Sequence, residues 1–571
     1  MAAGKGLTGM LRTRRRGQAV VLALGVALLA GGCAGSDGEQ DAKAPRTPAV
    51  RGAQDINAQP VAALRDGGDL RVPVDALPTN YNPIQLNGAR VVTWQLAEAI
   101  LPGAFSDAPD GTQKVNKAFF DSVELTSTSP QVLTYRIAKD AVWSNGRPIN
   151  WSDLHGQWQA LNGKNKAYEG YSNVGYADMS SVRKGASDKE AVVTFGKPFA
   201  EWQGLFTPLL PKEVTGSPQD FNKGWLESPA ITSGPFAVEK IDKTGKTIDL
   251  KRNPSWWAQK PPLKRVILRA LDPAARADEL ANRGIDLYPI GADLDLFSRA
   301  KSMPGVEIRQ APERLAGQLT FNGAPGAPLA DEKLRRAVAQ AIDPKAITTA
   351  LIGRIVPDAK PVGNHILPPG DPGYRDNSAT LPFDPAAAGK QLDALGWKKS
   401  GESREKGGKK LTLRLVGQAT PVGKSVCGLI ADQLRAAGIE ARITSVPLDK
   451  FYDSYLIPGN FDLIAFEWTK SASPFAHDRP VFQKPQGDDA GSNFGRVYIP
   501  EIDTLYDRGL AELDPAKRRD IANEIDVLAW RHAHHLPLYA GSGAYAVREE
   551  VANYGARGLG AYGFGNAGFL K

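Results

Sequence analysis

Three places in the 571-residue chain bring together side chains that could do chemistry. His532-Ala-His-His535 is the one histidine cluster, and imidazoles can ligate a metal. No Cys or carboxylate set accompanies it at zinc spacing, which argues against a metal role. The cluster falls at a predicted helix end, where imidazoles complement the negative end of the helix dipole. Gly423-Lys424-Ser425 resembles the close of a phosphate-binding loop. Gly417 stands one residue too far upstream for G-x-x-x-x-G-K-[ST], and no apt acid follows. Cys427 sits on the apolar face of a predicted helix, where a buried thiol behaves as a small inert hydrophobe. No G-x-S-x-G nucleophile element is present. Hydrolytic, redox and nucleic-acid chemistry therefore lack residues to carry them. The expectation is a protein that is not an enzyme and uses no cofactor and no metal.

The other cysteine, Cys33, is placed differently. Arg12, Arg14, Arg15 and Arg16 precede an apolar run, Ala19–Ala30, and Leu29-Ala-Gly-Gly-Cys33 follows with small residues before the thiol. Twelve apolar residues are too few for a membrane span, which needs roughly 20. The arrangement resembles a lipoprotein signal, in which the cysteine is acylated and becomes the mature N-terminus. Residues 1–32 are then a signal peptide, and Cys33 anchors the chain to the outer face of the cell membrane, since several acyl chains together bury enough methylenes for stable attachment. Residues 33–68 are rich in Gly, Ala, Asp, Gln and Pro and read as a flexible tether. Some 35 extended residues could reach ~120 Å.

The chain carries 70 basic and 62 acidic residues, +8 overall. Five basic residues and no acids lie before Cys33, so the mature part holds 65 against 62, and its +3 gives little reason to expect a nucleic-acid partner. Two cysteines rule out a disulfide scaffold. Strand-like runs alternate with helical ones. Gly68–Val74, Val132–Ile137, Ala191–Phe195, Lys246–Lys251, Arg265–Arg269 and Phe461–Phe466 read as strands. Asp331–Ile342 reads as a helix capped by Asp331, and 502–531 as two helices. Leu411–Val416, helical Gly423–Gly438 and Ile439–Val446 form a strand–helix–strand unit. Asn145-Gly146 signals a turn, and Asn150 to Asp153 offers cap residues. The fold class is mixed α/β, built as lobes on open sheets with ligand held at strand ends.

These stretches, in order, resemble the family 5 extracytoplasmic solute-binding proteins of ABC transporters, the peptide, oligopeptide and nickel binders. The resemblance rests on Asn80-Tyr-Asn-Pro-Ile84, Val142-Trp-Ser-Asn-Gly-Arg-Pro148 with Asp153, Ser233-Gly-Pro-Phe236 and Lys251-Arg-Asn-Pro254. It continues through Leu280–Asp286, Phe321-Asn322, Leu334–Asp343, Phe383-Asp-Pro385, Leu395-Gly-Trp397, Ser492-Asn-Phe494 and Leu536-Pro-Leu-Tyr539. It implies a bilobal periplasmic-binding-protein-like fold (type II, cluster C) with an extra inserted domain. Lobe I would comprise 69–100, 205–325 and 515–571, lobe II 100–205, and lobe III 325–515. A solute would bind between lobes I and III, which close on it and dock on the permease subunits. The chain is expected to act as a monomer.

In peptide-binding members of the family, Trp-x-x-Asp follows the buried strand, and the Asp meets the peptide's α-amino group. Here the stretch reads Glu467-Trp468-Thr469-Lys470-Ser471, so Ser471 stands at the Asp position. Glu467 or Asp478 could substitute, or Lys470 could favour an anionic or neutral polar solute. Trp468, Ser471, Asn322, Asn493, Tyr81 and Asn82 are the expected ligand-facing residues. Trp468 fits either a pocket wall or the core, and the asparagines fit either ligand contact or turn stabilisation. The function implied is capture of a peptide-like or other small polar solute for import. The alternative is a non-transport lipoprotein of the same fold that binds envelope glycolipid intermediates of the phosphatidylinositol mannoside type, a reading the Ala-, Gly- and Arg-rich, actinobacterium-like composition leaves open.

Overall fold

The computed structural model describes residues 52–487 and 490–571, so the leader and Cys33 lie outside the described residues. Order begins ahead of Gly68, where the sequence suggests a loose tether. Asp55 bridges to Ala556 and Leu64 to Leu570. The Asn553 side chain accepts from Gln59 N at 2.7 Å and donates to Gln59 O at 2.9 Å. Backbone bridges, the Asn553 side-chain bonds and the burial of Leu64 together lay this stretch on the C-terminal segment.

The first lobe opens with β1 (Asp69–Val74) and α1 (Val91–Ile100). The chain then builds an inserted lobe from β2 (Phe120–Thr128), β3 (Gln131–Ile137), α2 (Trp151–Leu161), β4 (Met179–Lys184) and β5 (Glu190–Phe195). Its sheet has the order β2-β3-β5-β4, antiparallel throughout. The Asn145-Gly146 turn and the Asn150 cap are tied together here. Asn150 Oδ1 accepts from Ser152 N, and Asp153 accepts from Asn150 N at 3.0 Å, closing a capping box. Asp153, fully buried, also takes Trp143 Nε1 at 3.2 Å and two guanidinium bonds from Arg147 at 3.0 and 2.7 Å. That set of bonds offsets the cost of burying its charge.

The chain returns with β6 (Phe236–Asp242), β7 (Thr247–Arg252) and β8 (Arg265–Ala270), giving the order β1-β8-β7-β6 with β1 parallel to β8. β9 (Leu287–Pro289) and β10 (Val306–Gln310) follow. β11 (Leu315–Phe321) opens a further sheet, and because it pairs there with a later strand, residues 315–321 and 535–540 join this sheet rather than the one expected of lobe I. The chain continues with α3 (Glu332–Gln340), β12 (Thr412–Gln418), α4 (Pro421–Ala436), β13 (Glu440–Val446), β14 (Leu463–Thr469), α5 (Pro474–Phe482), α6 (Pro500–Ala511), α7 (Pro515–Arg531) and β15 (His535–Ala540). Asp331 caps α3 by accepting from Lys333 N at 2.8 Å. Parallel β12 and β13 need a crossover, and α4 supplies it, burying Val426, Cys427, Ile430 and Leu434 at helical spacing. The sheet runs β13-β12-β14-β11-β15. Leu463, Ile464, Ala465 and Phe466 are all buried, as expected of a strand covered on both faces. β16 (Ala544–Arg548) returns to the first lobe and pairs with both β9 and β10. No helix among the described residues is long and apolar enough to cross a membrane.

Candidate functional site

Two crossings join the sheet of β9, β16 and β10 to the five-stranded sheet: Ala311–Arg314 between β10 and β11, and Gly541–Gly543 between β15 and β16. They are bonded to each other. Glu313 Oε1 accepts from Gly543 N at 2.9 Å, and Gln310 Nε2 donates to Ser542 O at 2.9 Å. The approach is too close for side chains on the second crossing. A Cβ at Gly541 would lie 2.0 Å from Glu313 Oε1, and one at Gly543, where φ is +57°, would lie 1.7 Å from Ala311 O. Only glycine suits both positions.

Above this double crossing lies a wall of polar groups contributed by both lobes. From the third lobe comes Glu467 near the end of β14, water-exposed, with Tyr539 donating its hydroxyl to Oε1 at 3.1 Å. Protein packed close to this carboxyl leaves it partly desolvated despite the exposure of the residue and pushes its pKa up to about 6, helped by the charge of Glu313 and opposed by the Tyr539 hydroxyl. From the first lobe comes Glu98 on α1, which accepts from Tyr562 N at 2.8 Å and Gly563 N at 2.7 Å. Its carboxyl too is raised by desolvation against those two bonds. Arg557 stacks over the Tyr562 ring at 3.7 Å. Tyr452 of the third lobe, 44% exposed, is raised by desolvation and senses Arg90 and Asp75 of the first lobe as well as Glu467. Tyr452 thus lies within electrostatic reach of charges on both segments.

The opposite face of β14 is different. Trp468, half-buried, donates Nε1 to Asp478 Oδ1 at 3.2 Å. Lys470 turns inward, donating Nζ to Asp478 Oδ2 at 3.1 Å and to the His365 carbonyl. His477 Nδ1 lies 2.8 Å from Asp478 Oδ1. Burial works to raise the Asp478 carboxyl, but the Lys470 and His477 contacts outweigh it and hold the group below the usual carboxylate range. The lysine side chain is only 7% exposed and the aspartate's 1%. Lys470 therefore offers no charge to an anionic solute, and Asp478 offers none to an ammonium. Ser471 Oγ accepts from Ser473 N at 3.1 Å, which stabilises the turn into α5.

The six residues singled out from the sequence do not form one group. Trp468 and Asn493 line a common space with Gln318, Thr320, Phe494 and His534, and it holds about one water-sized molecule (≈ 10 Å³). Asn493 donates to Gln483 O and Val497 O, while its Oδ1 is buried without a hydrogen-bond partner. Asn322 and Asn82 are spent on backbone. Asn322 donates to Gly459 O and Phe461 O and accepts from Ala324 N; Asn82 donates to Phe221 O and accepts from Ile84 N. Tyr81, 2% exposed, backs a separate open groove of ≈ 640 Å³ at the ends of β1 and β8. Cys33 lies outside the described residues. Sequence reasoning missed Glu98, Glu313, Arg557 and Tyr562; the Gly541-Ser-Gly543 spacing between two strands was the available signal for the crossing. His534 and His535 are buried, and burial drives both below the ordinary imidazole value, His534 to about 3. Among the described residues no group of three or more His, Cys, Asp or Glu is placed to hold a metal. Burial pushes the Cys427 thiol up to about 12, so it is not a nucleophile.

Comparison with known proteins adds to this geometry. The profile described as bacterial extracellular solute-binding proteins, family 5 Middle, matches residues 114–487. The oligopeptide-binding protein OppA of Mycobacterium tuberculosis is 39% identical over 566 residues, covering 98% of this chain and 95% of that protein. The M. tuberculosis protein titled "Probable monoacyl phosphatidylinositol tetramannoside-binding protein LpqW" is 27% identical over 422 residues, covering 67% of this chain and 65% of that one. Among solved structures, the periplasmic EDTA-binding protein EppA superposes with a TM-score of 0.83 at 27% identity, over 90% of this chain and 98% of its own.

Proposed function

The chain belongs to the bacterial extracellular solute-binding proteins of family 5, and on that premise we propose that it captures peptide-like solutes between its first and third lobes and delivers them to an ABC permease. The observation that carries this reading is the water-facing Glu467. Protein packed around this exposed side chain disfavours its charged form, the neutral Tyr539 hydroxyl bonds it, and Glu313 repels it. A ligand ammonium placed against it would relieve that repulsion and make a charge-assisted hydrogen bond. Glu467 thus takes the place of the carboxylate that Ser471 lacks, and the facing tyrosines offer hydroxyls to peptide main chain. Closure follows from differential affinity, since a solute touching both walls favours the state in which the walls meet. Acylated Cys33 holds the protein on the extracytoplasmic face of the membrane; support for this is the leader pattern ahead of it.

Calorimetric titration of the full-length protein tests the reading with Ala-Ala-Ala and its N-acetylated form. Trialanine is expected to bind, and acetylation to weaken it by ~1.5–3 kcal/mol, the usual worth of a hydrogen bond to a charged group. Equal affinity for both peptides would overturn the role of Glu467. Binding of phosphatidylinositol mannoside with no response to either peptide would favour the glycolipid alternative.

A further inference from the structure

One buried carboxylate has no part in the cleft wall, yet it joins two lobes. Glu201 lies in the inserted lobe just beyond β5, and its side chain crosses to the third lobe. Its two oxygens accept from the first free amides of α5, Phe475 N at 3.0 Å and Ala476 N at 2.8 Å. Those are donors that a helix start leaves unsatisfied. The residue is 5% exposed, and among the described residues Arg518 is the cation that acts on it electrostatically. The backbone around it is fitted as closely. Ala200 N donates to Leu510 O at 2.6 Å, and a Cβ at Gly204 would lie 2.7 Å from Ser473 Oγ. α5 is the helix that carries His477 and Asp478, so what fixes its start also fixes the aspartate that grips Trp468 and Lys470 on β14.

We propose that Glu201 is a positioning residue for the solute cleft, through which the inserted lobe sets α5 and, by way of Asp478, the Trp468 end of β14. The inference rests on the reading of Glu467, the residue before Trp468 in β14, as part of the binding cleft, and it adds a control point outside the cleft. Four charged or titratable groups face this contact from the elements packed on it. Arg518 of α7 donates to the Ala200 and Glu512 carbonyls rather than to the carboxylate. Asp478 and His477 come from α5. Tyr506 of α6 has a buried hydroxyl without a hydrogen-bond partner. Desolvation raises the Glu201 carboxyl to about 7, against its two amide bonds and Arg518, with Asp478 adding to the rise. The sign follows from linkage. A carboxyl whose docked pKa lies above that of a free glutamate docks best when neutral, so the contact weakens as pH rises from 4.5 to about 7 and is level above that.

The test uses the full-length protein labelled with 5-fluorotryptophan, with the Trp468 resonance identified by its loss in Trp468→Phe. Spectra are taken from pH 5.5 to 8.5 in the wild type, in His477→Gln and in Glu201→Gln. The Trp468 signal is expected to shift with a midpoint near 7 in the first two and to stay flat in Glu201→Gln, which keeps the side-chain volume and removes the titration. In parallel, amide exchange of Phe475 and Ala476 in the wild type, corrected for intrinsic rates, should lose protection progressively from pH 5.5 to about 7, by roughly 30-fold, and level off above it, as linkage requires for a carboxyl moved from 4.5 to about 7. A Trp468 signal that does not titrate overturns the proposal. So does a titration that survives in Glu201→Gln or disappears in His477→Gln, and so does first-turn protection independent of pH. None of these readouts needs a solute, so a failure here leaves the peptide-capture reading to its own titration.

Discussion

Glu467 and Trp468 are neighbours in one strand and point to opposite faces of one sheet, and the two faces solve opposite problems. On the Trp468 side the charges are paired internally: Asp478 holds an indole N–H, a lysine and a histidine, and Lys470 also donates to a backbone carbonyl. On the Glu467 side a carboxylate is left in contact with solvent, with one phenol and no cation. A residue that resembles a binding motif can thus belong to the scaffold, while the neighbour on the other face keeps an unspent charge. The scaffold side ought to respond to mutation in stability, and the open side in affinity.

The largest effect that could break this contrast lies in the buried pair. Asp478→Asn leaves the Lys470 ammonium without its counter-charge in a site where its side chain is 7% exposed, so unfolding by urea should show a loss of about 3–5 kcal/mol. Replacing both partners with apolar residues should cost far less than either single change, because no uncompensated charge remains. The pH dependence has a definite sign. The Asp478 carboxyl is held below its ordinary value of 3.8, so the pair's contribution is complete above that value and fades as pH falls through the lower folded one. A loss below ~1 kcal/mol, the scale of an exposed ion pair, would mean that the two faces do not differ in this way.

How much of this was readable in the chain depends on the range of the interaction. Asp331 at the start of α3, the Asn150–Asp153 box and the Asn-Gly turn are local bargains between a side chain and backbone within four residues, and the sequence carries them openly. The buried strand ending in Phe466 was likewise legible from its run of apolar residues. Alternation then required Glu467 and Trp468 to oppose each other, but nothing in the run tells which face meets the cleft. That is decided by α4 covering one face and by the Phe451 to Phe494 cluster filling the other. Lys470 shows the same limit. Its partner lies eight residues on, across a turn that only the start of α5 defines, so its charge looked free for a solute. Glu313 and Glu201 had no signal of their own, because each acts on backbone amides hundreds of residues away.

The next change tests the open face. Glu467→Gln keeps the shape of the side chain and its bond to Tyr539 while removing the charge. Affinity for Ala-Ala-Ala should drop by ~1.5–3 kcal/mol, the range for a hydrogen bond to an ionised group. Stability should move the other way. A carboxyl raised to about 6 contributes most below the unfolded value of 4.5 and loses that contribution as pH rises through about 6, so the glutamine variant should match the wild type in acid and exceed it slightly above neutrality. The smallest effect belongs to Trp468→Phe. It deletes the bond to Asp478 and should lower stability by ~1 kcal/mol. Affinity for trialanine should hardly change, because the space beside the indole admits only about one water-sized molecule. If affinity instead fell further in Trp468→Phe than in Glu467→Gln, the assignments of the two faces would have to be exchanged. The solute would then lie on the aromatic side, with α5 opening to admit it, and Glu467 would merely border the cleft.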